Sequence, residues 1–399
     1  MRAIRLTAAL FAAAAATSAG ASTSPIVSRP LLTYAVWPTV GGGAFVTRGL
    51  CATDLDGHTF RVSNPRDDRS PAWSPDGRSL AFSRTYNHRF NLFTADAQGR
   101  RVRNLTRRLG GGGHHYAAWS PDGSQLAFVI TGRIGASLVV MNADGTDVHA
   151  LVDGGYAVGP PSWSPDGRRI LFSSAEASTN WVPATYVIDE DGTNRSKLVD
   201  AAIGAVWAPD GARLAYFTYI DAVQRSLVVA EADGSDPHVL TQGELFGRPA
   251  WSPDGRTIAF TRGPVTSMRV VLISPDGTGE RVVSTGGLPV VDPAWRRSAP
   301  LPAERRPCVL RGTSGADVLR GTERGDLIVG GRGRDMIDAA GGDDVVVGEG
   351  GRDRIHGGRG KDVLGAKDRE RDLVFGGPGK DIGYFDAHLD RVTSIEFPH

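Results

Sequence analysis

The sequence predicts an all-β protein in two modules, a six-bladed β-propeller followed by a parallel β-roll. A tryptophan recurs at Trp73, Trp119, Trp163, Trp207, Trp251 and Trp295, at intervals of 46, 44, 44, 44 and 44 residues. A fixed period of about 40 to 45 residues supplies one four-stranded blade per repeat. After residue 309 the period becomes nine, counted on aspartates. Across 399 residues, 52 Gly and 24 Pro with little helical spacing of apolar positions point to many short strands joined by tight turns.

At the N-terminus, Arg2 and Arg5 precede an apolar run from Leu6 to Thr17 and then Ala19-Gly20-Ala21. That order is the charged, hydrophobic and small-residue order of a secretory signal, with cleavage expected after Ala21. The run is too short to span a bilayer, and no other segment approaches 18 consecutive apolar residues. A secreted or periplasmic product without a membrane span is therefore expected. A formal net charge of +1 and no run of five Lys or Arg give no electrostatic footprint for nucleic acid. Two cysteines, Cys51 and Cys308, flank the tryptophan repeats. A closed ring would let them approach, but the choice between a bridge and two free thiols depends on a Cα separation that sequence does not supply.

Residues 31–298 form the predicted propeller. Four repeats open on Trp-Ser-Pro-Asp-Gly, at Trp73, Trp119, Trp163 and Trp251, and Trp207 opens the same motif with Ala208 for Ser. Pro sets φ at the first turn corner, Asp bonds its own backbone, and Gly takes the left-handed corner. An apolar strand follows each motif, then a variable loop, a second strand and a second turn such as Asp144-Gly145 or Asp233-Gly234. The motif residues are architectural, with Trp packing blade on blade. Trp295 has lost its turn, and Thr33 to Trp37 with Leu50 to Asp54 lack a tryptophan motif of their own. Together the two chain ends complete a sixth blade, and closure removes the exposed sheet edges. Trp-Ser-Pro-Asp-Gly followed by an Arg-x-Ile-Ala-Phe-type strand and then Asp-Gly resembles the propeller repeats of the TolB family, and the six-fold count agrees.

The variable loops hold Tyr86, Asn87, His88, Arg89, His114, His115, Tyr116, Tyr156, Trp181, Tyr219, Asp221 and Asp292. His114 and His115 are adjacent on a strand and point to opposite faces, which disfavours joint ligation of one metal. These loops are expected to present a recognition surface to a protein or glycan at the propeller mouth. The chain has no Gly-x-Ser-x-Gly elbow, no His-Glu-x-x-His and no phosphate-binding Gly-rich loop, so it is expected not to be an enzyme.

Residues 299–308 are Pro-rich and polar and read as a linker. In 309–399, Asp317, Asp326, Asp335, Asp344, Asp353 and Asp362 are spaced by nine, and Asp372 and Asp381 follow after one ten-residue step. An apolar residue stands two positions after most of them, from Leu319 to Val374. The fullest loops are Gly330, Gly331 and Gly333 before Asp335; Gly357, Gly358 and Gly360 before Asp362; and Gly376, Gly377 and Gly379 before Asp381. Ala339-Ala340 and Arg324 depart from this frame, and Ala366 to Phe375 is one residue long and lacks glycine. Glycines let each half-turn curl so that carbonyls point inward, and Asp adds a carboxylate. Together they offer the hard oxygens that Ca2+ requires.

The Gly-Gly-x-Gly-x-Asp-x-apolar-x frame resembles the calcium-binding repeats of RTX proteins. That resemblance implies a roll in which an ion is shared by loops two repeats apart, such as those of Asp317 and Asp335. The module holds 17 acidic and 14 basic residues, a mild net charge of −3 that predicts modest affinity or partly filled sites. The expected function is an exported calcium-binding protein with a propeller recognition module. A TolB-like envelope scaffold that binds a partner protein is the alternative, and an enzyme with a site at the propeller mouth ranks third.

Overall fold

The computed structural model describes residues 31–36, 39–40, 44–45, 49–54, 58–63, 67–132, 135–157, 159–175, 182–285, 289–297 and 307–395. The export segment at 1–21, residues 299–306 of the linker, Trp37, Trp181 and the side chain of Tyr156 lie outside the described residues.

Six antiparallel blades surround one axis, the second and third joined in one continuous sheet. The first blade comprises Asp68–Trp73, Ser79–Tyr86, Arg89–Asp96 and Arg103–Asn104. The fourth and fifth, opening on Ala202–Trp207 and Leu245–Trp251, repeat its order. Between the second and third blades the strand His149–Ala157 is shared: its start edges one blade, and its end pairs Tyr156 with Ala175 of the next. The closing blade takes Val290–Arg296 from one end of the propeller and Leu31–Val36, Leu50–Thr53 and Thr59–Arg61 from the other. Its register sets Leu31 against Arg296 and Leu32 against Trp295.

Each blade buries aliphatic and aromatic residues of its two middle strands, such as Leu80, Phe82 and Leu92, all fully enclosed. The tryptophans join neighbours. The indole N–H of Trp119 donates to the Ala72 carbonyl at 3.0 Å, that of Trp163 to Ala118 at 3.2 Å, and that of Trp295 to Ala250 at 3.0 Å. In the turns, the Ser74 hydroxyl donates to Asp76 Oδ1 at 2.6 Å, and the Arg78 amide donates to the same oxygen. Ser120, Ser164 and Ser252 do the same with Asp122, Asp166 and Asp254. These aspartates are turn formers, as their spacing predicts.

The C-terminal module departs from the propeller in its pairing, because all its strands are parallel. One sheet holds Leu310–Arg311, Leu327–Arg332, Val345–Gly350, Val363–Ala366 and Ile382–Phe385. The other holds Val318–Arg320, Met336–Asp338, Arg354–His356, Leu373–Phe375 and Arg391–Thr393. Consecutive half-turns alternate between the sheets, so one complete turn takes two nine-residue repeats. The interior is a stack of Leu319, Ile328, Ile337, Val346, Ile355, Leu364 and Val374. These are the residues two positions after each Asp from Asp317 to Asp372.

The two modules share a core. Leu327, Val329, Val345 and Val363 on the outer face of the first roll sheet pack with Tyr34, Val36, Val270, Leu272 and Val283 of the propeller. Cys51 and Cys308 are joined by a disulfide across this junction, with Cα atoms 5.7 Å apart. Arg61 donates to the Cys308 carbonyl at 2.6 Å. The alternation in the sequence accounts for the choice of face. Positions one and three after Asp are apolar at Leu327 and Val329 and at Val345 and Val347, whereas the opposite sheet carries Arg320, Asp338 and His356 at its third positions.

Candidate metal centre

Each ladder Asp stands at the start of a strand, on one of the two edges where the roll reverses. Asp317, Asp335, Asp353 and Asp372 line one edge, and Asp326, Asp344, Asp362 and Asp381 line the other. Along each edge, every Asp amide donates to Oδ1 of the Asp one full turn later. Asp317 reaches Asp335 at 2.8 Å, Asp335 reaches Asp353 at 2.9 Å, and Asp353 reaches Asp372 at 2.7 Å. On the opposite edge, Asp326 reaches Asp344 at 2.6 Å, Asp344 reaches Asp362 at 2.9 Å, and Asp362 reaches Asp381 at 2.9 Å. One carboxylate oxygen is thus committed to the fold.

The second oxygen separates the interior of the roll from its ends. Oδ2 of Asp335, Asp344, Asp353, Asp362 and Asp372 is buried and accepts no hydrogen bond. At the N-terminal end, Thr313 donates from its amide and its hydroxyl to Asp317 Oδ2, at 2.6 and 2.9 Å. Thr322 does the same for Asp326, at 2.8 and 2.8 Å. At the far end, Asp390 accepts from the Asp372 amide on Oδ1 and from the Asp386 amide on Oδ2. Asp317 and Asp326, expected to match the other ladder aspartates, are instead capped by threonine where later loops carry a second glycine. The signal was present in sequence, as Gly312-Thr313 and Gly321-Thr322.

Burial shapes the protonation of the interior carboxyls. It pushes Asp344 up to about 9, Asp372 up to about 7, and Asp353 and Asp362 up to about 6. Neighbouring carboxylates add to the rise, and the ladder amides oppose it in part. An unpaired buried carboxylate is costly.

The glycines surround these oxygens. A Cβ on Gly330 would stand 2.6 Å from Asp335 Oδ2 and 2.6 Å from the Gly348 carbonyl; one on Gly357 would stand 2.7 Å from Asp362 Oδ2 and 2.6 Å from the Gly376 carbonyl. Gly376 and Asp381 repeat the approach. Gly331, Gly333, Gly358, Gly360, Gly377 and Gly379 have positive φ, and a side chain there would strike a carbonyl of the preceding turn. The orphan oxygens of Asp335 and Asp362 therefore lie near a backbone carbonyl, a pairing of hard oxygens that fits Ca2+. Among the described residues, no three Asp, Glu, His or Cys side chains cluster as a metal site, so backbone oxygens would have to supply most ligands.

Sequence spacing passed over Asp368. It lies in the ten-residue repeat that lacks glycine, accepts the Gly351 amide on Oδ2 at 2.8 Å, and places its charge near Asp353 and Asp372. Asp390, nine residues after Asp381, was likewise the next member of the series.

The propeller-mouth residues separate into different surroundings. His114 is buried, bonded to the Thr106 hydroxyl at 2.9 Å, while His115 lies against Phe90 at 4.7 Å. Burial lowers the His115 pKa to about 4. Asp221 accepts the amides of Val223 and Gln224 within its own loop. Tyr116, Tyr219 and Asp292 meet at a cavity on the axis.

Residues 110–299 match the family model of the TolB beta propeller domain, and residues 311–346 and 340–366 match that of the RTX calcium-binding nonapeptide repeat. The chain is a TolB-type propeller joined to RTX calcium-binding repeats. The Tol-Pal system protein TolB of Anaeromyxobacter dehalogenans is 30% identical over 231 residues, 56% of this chain and 47% of that protein. A Bacillus subtilis protein described as an uncharacterized peptidase, YuxL, is 32% identical over 192 residues, 48% of this chain and 21% of that protein. The chain thus spans less than half the length of these curated relatives. The crystal structure of TolB from Acinetobacter baumannii superposes with a TM-score of 0.58 at 18% identity, covering 67% of this chain and 66% of that one. This likeness concerns the fold of the TolB-type propeller alone, and the RTX roll extends beyond it.

Proposed function

We propose that this is an exported calcium-binding protein in which Ca2+ folds and stabilises the RTX roll, while the propeller serves as a recognition module without catalytic activity. The observation that carries the reading is the row of buried Oδ2 atoms on Asp335, Asp344, Asp353, Asp362 and Asp372, each without a hydrogen bond. Holding the ion falls to these carboxylates and to the glycine-loop backbones at Gly330, Gly331 and Gly333 on one edge. On the other edge it falls to Gly357, Gly358 and Gly360 together with Gly376, Gly377 and Gly379. Two complete loops are consecutive on that second edge, which favours it for the tightest site. Bound Ca2+ supplies the positive charge that lets the buried carboxylates ionise, and it ties adjacent turns together. Export is supported by the residue order at 1–21 and by the Cys51–Cys308 bridge, because disulfides persist in oxidising compartments.

The test uses the full chain, because the docking face of the roll is buried against the propeller. Calorimetric melts are expected to rise with Ca2+, by about 4 kcal/mol once the ion exceeds its Kd about a thousandfold. Coincident melts in Ca2+ and chelator would overturn the proposal. A second reading, an envelope scaffold that binds a partner protein through the propeller, is favoured by the Tol-Pal relatives. Capture of one specific envelope protein that survives chelation would select it.

A further inference from the structure

The position three residues before each tryptophan faces the propeller axis. Ser70, Tyr116, Pro160, Gly204, Arg248 and Asp292, one from each blade, line a cavity of about 280 Å3 there. The inner strands are irregular at this point, with breaks in register between Arg69 and Ala72, His115 and Ala118, and Phe246 and Ala250. Ser70, Tyr116 and Asp292 take φ of 49°, 60° and 54°. Left-handed backbone at such residues costs about 1 kcal/mol or more each, and β-bulges re-aim side chains. Three blades spend that energy at one level of the channel.

Small residues on three blades leave the space, and the other three carry function-bearing groups. Asp292 Oδ2 accepts from the Ser70 hydroxyl at 3.1 Å, and Oδ1 rests against Gly247, where a Cβ would stand 2.8 Å away. Arg248 donates one N–H to the Pro161 carbonyl at 3.2 Å. The two opposite charges, which influence each other through space, do not pair directly among the described residues. Each is anchored to another blade at the wall of a shared cavity, Asp292 to the first through Ser70 and Arg248 to the third through Pro161. Ile203, Tyr219 and Phe246 line the cavity beside them, with the Arg225 guanidinium over the two rings at 5.3 and 5.7 Å from their centroids.

We propose that this cavity binds a small zwitterion of amino-acid type, with its carboxylate on Arg248, its ammonium on Asp292 and an apolar side chain against Ile203, Tyr219 and Phe246. The volume lies near the lower limit for ligand pockets, which suits a single residue rather than a folded partner. The site is independent of the metal in the roll.

Isothermal titration of the full, calcium-loaded chain with L-leucine and L-phenylalanine, and with N-acetyl-L-leucine and L-leucinamide, tests the assignment. At least one free amino acid should bind, and blocking either charge should weaken binding about tenfold or more. Arg248→Gln and Asp292→Asn should each lose a similar factor, while Asp221→Asn, on a neighbouring exposed loop, should bind as the unaltered chain does. The comparison of free with blocked ligands needs no variant, so it stands even where a variant fails to fold. No heat from either free amino acid, or blocked forms binding equally well, would overturn the proposal.

Discussion

Aspartate closes turns in both modules, yet its physical state is opposite in the two. In the propeller, Asp76, Asp122, Asp166 and Asp254 lie toward solvent and accept from a serine hydroxyl and a backbone amide. Those bonds hold their carboxyls below the usual range, Asp122 at about 2. In the roll, Asp344, Asp353, Asp362 and Asp372 are enclosed, commit one oxygen to an amide of the preceding turn and leave the other without a donor. Their carboxyls rise accordingly. A residue type at a regular spacing therefore marks a turn, but only the count of donors on each oxygen tells a finished turn from one that awaits a cation.

The largest expected effect concerns the junction that makes the two regions one unit. Replacing Cys51 and Cys308 by serine opens a link across 257 residues of sequence. It should cost about 5 kcal/mol in a denaturant titration, by the chain-entropy account. A loss under about 1 kcal/mol would assign the junction to its apolar face alone.

The contrast itself is tested by a pair of isosteric changes. In chelator at neutral pH, Asp344→Asn should stabilise by about 2 kcal/mol, because the folded chain no longer has to protonate or bury a charge at that site. Asp122→Asn should destabilise by about 1 kcal/mol through weakened turn hydrogen bonds. In saturating Ca2+ the sign for Asp344→Asn should reverse. Thermal melts of both variants with and without Ca2+ provide the check, and equal signs in chelator would break the comparison.

Acidity should separate the modules next. The four roll carboxyls bind protons more tightly in the folded than in the unfolded chain. Without metal, stability is therefore fully present below about pH 4 and falls as pH rises through about 6 to 9, by roughly 1 kcal/mol per pH unit for each proton. The turn carboxyls act in the other direction, contributing above about pH 4 and losing their contribution as pH falls toward about 2. Every tryptophan precedes residue 296, so indole fluorescence follows the propeller while far-ultraviolet circular dichroism follows both. The two signals should diverge with pH in chelator and converge in Ca2+. The smallest effect is expected at Ala340, which replaces a loop glycine and holds φ at 71°. Ala340→Gly should stabilise the roll by about 1 kcal/mol in the same melts.

Much of the fold was legible because its periods are simple. The six tryptophans count the blades, and the pairing of Leu32 with Trp295 is the closure their spacing predicts. The nine-residue aspartate series places Ile328, Val346 and Leu364 inside the roll, where they stack. The site was less legible. Asp317 and Asp326 match the series by spacing, but the threonines at 313 and 322 already fill their second oxygens. Asp368 breaks the series by spacing and still joins the edge. Spacing reports where a carboxylate lies along the chain, and not which donors reach it from a neighbouring turn.

Repeat lengths, turn chemistry and the all-β class are readable in the residue order, because each depends on residues within one repeat. Tertiary structure alone decided three things: that Cys51 meets Cys308, that one roll face is covered by the propeller, and that Asp292 and Arg248 face one cavity without pairing. Each depends on groups far apart in the chain being brought to one place by closure of the ring and stacking of the turns, and no local pattern encodes the distance between them.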